Sequence, residues 1–157
     1  MKKELHFTLT GIDSVSSQIK SGLSGYAVNL NYGLTTTIWL FLCNNSVLVI
    51  QSNMNELDGW EEVGTLKFIN ETNGENLPKM IPLPLAWQNI VSLAKLLIED
   101  DEFIAESGLV IRNNINEEVI IVCGAELYSL QMAASFFESS FNPEYDFEKY
   151  KWLDFNA

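Results

Sequence analysis

A chain of 157 residues with 21 acidic and 9 basic side chains carries a formal charge of −12. That charge repels nucleic-acid phosphates and anionic lipid surfaces, and turns the search for partners toward cations and basic proteins. An apolar fraction of 47% excludes a disordered chain, and a single domain over residues 1–157 is large enough to fold without disulfides or metal.

Taken in order, Leu5, Phe7 and Leu9 alternate with His6, Thr8 and Thr10, which predicts a half-buried strand. Ile12, Val15 and Ile19 follow at helical spacing, and Gly22 ends a short helix. Tyr26, Val28, Leu30 and Tyr32 alternate again. Runs over 36–43 and 46–52 flank Asn44-Asn45, a hairpin signal, because the matching turns need positive φ. After a loop at 53–59, a strand resumes over 60–69, and 70–76 is a second polar loop. The first half is a meander of strands.

Pro78, Pro82 and Pro84 punctuate the middle. From Leu85 to Ile98 the polar residues Gln88, Asn89, Ser92 and Lys95, with Glu99 next, place 88, 92, 95 and 99 on one helical stripe. This predicts a long buried helix over about 85–98. Carboxylates follow at Glu99, Asp100, Asp101 and Glu102, where a helix dipole disfavours them; Asp100 or Asp101 capping a new short turn accounts for the run.

Two apolar runs in Ser107 to Cys123 flank Asn113, Asn114, Ile115 and Asn116, residues suited to turns. Val119 to Cys123 has no polar position, so this strand is expected to be central and buried on both sides. Residues 125–138 read as a neighbouring strand through Tyr128, Leu130 and Met132, with a helix as the competing reading. The aromatic tail around Pro143 is expected to cover the sheet with little regular structure. The expected fold class is α+β: a predominantly antiparallel β-sheet meander with one long buried helix (about 85–98) and a short N-terminal helix.

Catalytic and cofactor signals are sparse. His6 is the one histidine, and Cys43 and Cys123 lie in apolar runs as expected core residues. They do not make a zinc set, and no phosphate loop, dinucleotide fingerprint or EF-hand spacing occurs. No catalytic residue, metal or cofactor is therefore assigned. The lysines at the start precede no apolar segment, and no apolar run is long enough to span a bilayer, so the expected location is the cytoplasm.

What stands out is acidity beside aromatics. Glu56, Asp58, Glu61 and Glu62 flank Trp60; Glu99, Asp100, Asp101, Glu102 and Glu106 form a second cluster; Glu117 and Glu118 a third; Glu144, Asp146 and Glu148 surround Tyr145 and Phe147. The first three clusters are candidate partner-binding residues, since charges steer encounter and aromatics anchor it.

The segments Glu106-Ser107-Gly108-Leu109-Val110, Glu118 through Ala125 and Tyr128-Ser129-Leu130 carry a family pattern, as do Trp60 to Leu66 and Phe141-Asn142-Pro143-Glu144-Tyr145. Together they resemble small bacterial immunity proteins of toxin–immunity loci, including those of contact-dependent growth inhibition. The chain departs from that pattern at Leu127, where proline is expected, and carries Asn113 to Asn116 in place of a short glycine turn. The resemblance implies a non-enzymatic protein that binds a cognate toxin domain, often a basic nuclease, and blocks it. An alternative is a small-ligand-binding or enzymatic α+β domain with a pocket near the sheet, lined by His6, Cys123 and Tyr128. A homodimer through exposed strand edges is a third reading.

Overall fold

The structure, a computed structural model, describes residues 2–59, 61–71 and 76–155. It is built from two six-stranded sheets. One contains β2 (Thr8–Thr10), β3 (Leu23–Asn31), β4 (Leu34–Leu42), β5 (Val47–Glu56), β6 (Glu62–Glu71) and β7 (Ile81–Pro82), in the order β2-β6-β5-β4-β3-β7. The other contains β8 (Ile90–Glu99), β9 (Phe103–Asn113), β10 (Glu118–Cys123), β11 (Leu130–Ala133) and β12 (Lys151–Asp154), in the order β11-β10-β9-β8-β12. Its sixth strand, β1 (Lys3–Leu5), pairs in parallel with the start of β9. The short helix α1 (Val15–Ile19) is capped by Ser14, whose hydroxyl accepts the Ser17 N–H at 3.1 Å.

The long helix expected over about 85–98 is not formed. Leu85–Gln88 is a single 3-10 turn anchored by the fully buried Trp87, and Ile90–Glu99 is β8. The second sheet is covered on both faces along β9 and β10 and over the middle of β8. Leu93, Leu109, Ile111, Val119 and Ile121 pack toward the first sheet, while Ala94, Leu96, Ile98, Val110 and Val122 pack toward the tail around Phe141, Phe147 and Tyr150. A strand buried on both faces needs no polar alternation, so its apolar run imitates a helix. The polar stripe at 88, 92, 95 and 99 was a coincidence of spacing.

Three smaller expectations also change. The strand expected from Leu5 to Thr10 is two strands, β1 and β2, which belong to different sheets and cross at His6 and Phe7. Cys43 lies exposed in the β4–β5 turn, while Cys123 is in the core. The tail does not merely cover a sheet, because β12 pairs antiparallel with β8. The Asn-rich hairpins form: Asn45 and Asn116 take positive φ (69° and 62°), and β10 is buried as expected. The strand at the centre, however, is β9, bonded to β8, β10 and β1.

β9 contains one irregularity that shapes the molecule. Its register with β8 runs Leu96↔Gly108 and then Leu97↔Glu106, which leaves Ser107 as an extra residue. Such a bulge exchanges the faces of the strand. Phe103 and Ala105 before it, and Val110 after it, therefore all face the tail. Glu106 is left on the side of the first sheet.

Candidate functional site: an acidic end

Two hairpin turns meet at one end of the molecule. The first joins β5 to β6 and is closed by Leu57 N–H donating to the Glu61 carbonyl at 2.9 Å. Leu57 is buried and joins the same apolar cluster as Ile98, Phe103 and Tyr150, which holds this turn against the second sheet. The second turn joins β8 to β9. Asp100 Oδ1 accepts the N–H groups of Glu102 (2.7 Å) and Phe103 (3.1 Å), so Asp100 is the turn's own hydrogen-bonding residue. Of the two residues suggested from sequence as a turn cap, it is Asp100 that caps, and the turn it caps leads into a strand.

Tyr145 reports that the turns are neighbours. Burial pushes its phenol up to about 12, and the charges of Glu144, Asp100 and Glu61 add to that shift. One side chain thus feels both turns. Lys3 ties the same end together, with its backbone N–H donating to the Glu102 carbonyl at 2.9 Å and its ammonium to the Glu56 carbonyl at 3.5 Å.

The candidate carboxylates fall into three groups. Glu56, Asp58, Glu61, Glu62, Asp101 and Glu102 are exposed, and among the described residues none of them has a cation within ion-pair distance. Glu56, Glu61 and Glu62 border a shallow hollow of about 230 Å³ over Leu57 and Gly59.

Glu99 and Glu106 lie close by in sequence but are spent internally. Lys2 and Lys151 each donate to Glu99 at 2.7 Å, and the Lys151 bond, followed by that of Lys2, pulls its carboxyl down to about 2. Glu106 is buried. Oε1 accepts the Phe7 N–H at 2.7 Å and Oε2 accepts Lys95 Nζ at 2.8 Å, with His6 Nδ1 at 3.4 Å. Burial raises the Glu106 carboxyl, but Lys95, the Phe7 amide and His6 together outweigh it and hold it below its ordinary range.

Glu117 and Glu118 stand at the far end of β9, about 33 Å away for eleven strand residues. Glu118 accepts Arg112 Nε at 3.2 Å, and Glu117 accepts Asn113 Nδ2 at 3.1 Å. The structure therefore does not gather them with the other acids. Trp60 lies outside the described residues.

No protein-family model matches the chain, and no curated protein or solved structure matches it. The geometry must therefore speak for itself. Among the described residues, no group of three or more His, Cys, Asp or Glu side chains is arranged to hold a metal ion. No described helix is long and apolar enough to cross a membrane. His6, Cys123 and Tyr128 do not share a pocket: Cys123 is buried with its thiol pushed up to about 12 by burial, and Tyr128 is exposed in the β10–β11 turn. Lys95, which neutralises Glu106, was missed as a site residue. Its signal was a lone cation inside an apolar run, where a buried partner is required.

Proposed function

We propose that the chain is a cytoplasmic immunity protein that binds and neutralises a cognate basic toxin domain, of nuclease type, through the end formed by the β5–β6 and β8–β9 turns. The observation that carries this reading is the set of six exposed carboxylates, unpaired among the described residues, on two adjoining turns, at a place where Lys2, Lys3 and Lys151 are committed to internal bonds. A nuclease must present a cationic groove to phosphate, and carboxylates on rigid turns can occupy the same positions. Long-range attraction from a charge of −12 speeds that encounter. The local sequence resemblance to immunity proteins points the same way. Within this reading the chain is not an enzyme, and the partner is a protein rather than nucleic acid or membrane.

The test is capture of a basic nuclease domain encoded beside this gene, with its DNase or RNase activity as readout. The expected result is a complex that weakens steeply with salt. The variant Glu56→Gln/Asp58→Asn/Glu61→Gln/Glu62→Gln should weaken it by at least about tenfold, or about 1.4 kcal/mol. Glu118→Gln at the far end should leave it intact. A complex insensitive to the fourfold variant, or abolished by Glu118→Gln alone, would overturn the placement of the interface. A neighbouring toxin that is neither bound nor inhibited would overturn the function.

A further inference from the structure

We infer that two copies of this chain associate through the free edge of β3, each strand extending the other's first sheet. β7 pairs with β3 only at Gly25↔Pro82 and Tyr26↔Ile81. Among the described residues, the same edge is open from Ala27 to Asn31. The strand is regular there, because the register shift between Asn29 and Leu30 leaves the extra residue, Thr36, on β4. The other edge strands are guarded by shortness, charge or cover. β2 has three residues, β1 carries Lys3 and Glu4, and β12 carries Lys151 and Asp154. The tail lies along β11, where the Ser139 hydroxyl donates to the Met132 carbonyl at 2.8 Å and the Asn142 N–H to Gln131 Oε1 at 3.0 Å.

Charge selects the occupant. A chain of charge −12 repels its own copies, so two of them meet best where charge is absent. No charged residue occurs from Ser21 to Asn55, or from Met80 to Ala94, in a chain that is 19% charged. β3 and β4 therefore carry none. β6, with Glu62, Lys67 and Glu71, stands three strand spacings away, roughly 14 Å against a Debye length of about 8 Å. Glu138 borders the edge beside Val28 and Leu30, and Lys79 precedes β7; their opposite signs leave the edge without a net charge. A basic partner has no carboxylate on β3 to bind, whereas a second copy has little there to repel it.

The exposed side chains fit the same occupant. β3 and β4 are joined by Tyr32-Gly33, both at positive φ (53° and 80°). Asn, Asp or Gly ordinarily opens such a turn. Tyr32 is 99% exposed, so no contact within the chain accounts for a tyrosine there. Antiparallel pairing of residues 27–31 with themselves centres on Asn29, because β7 occupies the edge before Ala27. That register sets Leu30, 60% exposed, opposite Val28 of the second copy, and carries Tyr32 to the exposed Ile81 at the end of the second copy's β7. The groove of about 500 Å³ that Val28 and Leu30 line with Met132 and Phe137 is then covered from the side.

The test is sedimentation equilibrium of the full chain at low and high sodium chloride. A reversible monomer–dimer equilibrium is expected, and it should tighten with salt, opposite in sign to the toxin complex, because salt screens the repulsion between the two negative copies. Leu30→Lys places a charge on the edge, and Tyr32→Asn removes the aromatic while suiting the turn. Each should weaken the dimer at least about tenfold. Tyr32→Asn should not lower the melting temperature of the dilute monomer, which separates an interface role from a structural one. Register is read by disulfide formation under oxidised glutathione in a Cys43→Ser background. Asn29→Cys should link two copies, since facing Cβ atoms across a sheet lie about 4.5–5.5 Å apart, while Ile115→Cys, in the exposed β9–β10 turn, should not. A chain that stays monomeric at every concentration, a dimer indifferent to both edge variants, assembly beyond two copies, or linkage through Ile115→Cys as fast as through Asn29→Cys would each overturn the proposal. No toxin enters this experiment, so either reading can fail without the other.

Discussion

The Ser107 hydroxyl donates a 2.6 Å hydrogen bond to the Gly64 carbonyl, joining the bulge of β9 to β6 across the two sheets. Ser107 is fully buried there. The approach is close because Gly64 has no side chain: a Cβ built on it would stand 2.8 Å from both Cβ and Sγ of Cys123. Gly64→Ala is expected to lose about 1–3 kcal/mol by overpacking, read as a lower urea midpoint with an unchanged slope. An unchanged midpoint would show that the sheets have slack at this point.

Glu106 should be worth more to stability than an ordinary surface acid. Glu106→Ala leaves the Phe7 N–H without its acceptor and Lys95 without its counter-charge. The expected loss is about 2–3 kcal/mol, reduced from the fully buried case because Lys95 keeps some solvent. Glu106→Gln preserves an acceptor for Phe7 and should lose less. Thermal unfolding of the two variants side by side checks the order.

Acid should destabilise the protein through Glu99 and Glu106. Both carboxyls are held below their ordinary value of 4.5 in the folded chain. Their contribution is complete above that value and is lost as pH falls through the lowered folded values, which for Glu99 means from 4.5 toward about 2. Lys151→Met removes the largest cause at Glu99 and should flatten the fall in melting temperature over that window.

Glu144 should behave in the opposite sense. Burial raises its carboxyl, and the Gly64 N–H bond at 3.2 Å only partly offsets this. A raised value means stability is greatest below the ordinary carboxylate range and declines as pH climbs through the folded value. Glu144→Gln keeps an acceptor for Gly64 and removes the buried charge. It should raise the melting temperature at pH 7 and leave it nearly unchanged near pH 4.

How much of this was legible beforehand depended on the range of the interactions. The asparagine turns at Asn45 and Asn113 to Asn116 are local chemistry, and they were visible in the sequence. Buried Asn113 shows why: its Oδ1 accepts the N–H groups of Ile115 at 3.1 Å and Glu117 at 3.0 Å, all within four residues. β8 was misread because burial on both faces removes the period that distinguishes strand from helix. The acidic clusters looked alike in sequence because what separates them is distant. Glu99 is neutralised by Lys2 from 97 positions away, and the Phe7 amide reaches Glu106 from 99. No inspection of neighbours could have told these acids from Asp101 and Glu102 between them.

The crossing at His6 and Phe7 has a kinetic meaning. β1 and β2 are bound in parallel to β9 and β6, so Lys3 waits for Phe103 and Thr8 waits for Lys67. Neither pairing can form until its partner strand is in place, and closing loops of that length slows a folding reaction. The remaining strands of the first sheet connect mostly through tight hairpins and have no such delay. This segment should therefore be the last part of the molecule to gain hydrogen-exchange protection during refolding. Until it docks, the two sheets lack a stretch of chain that pairs as a strand with each of them.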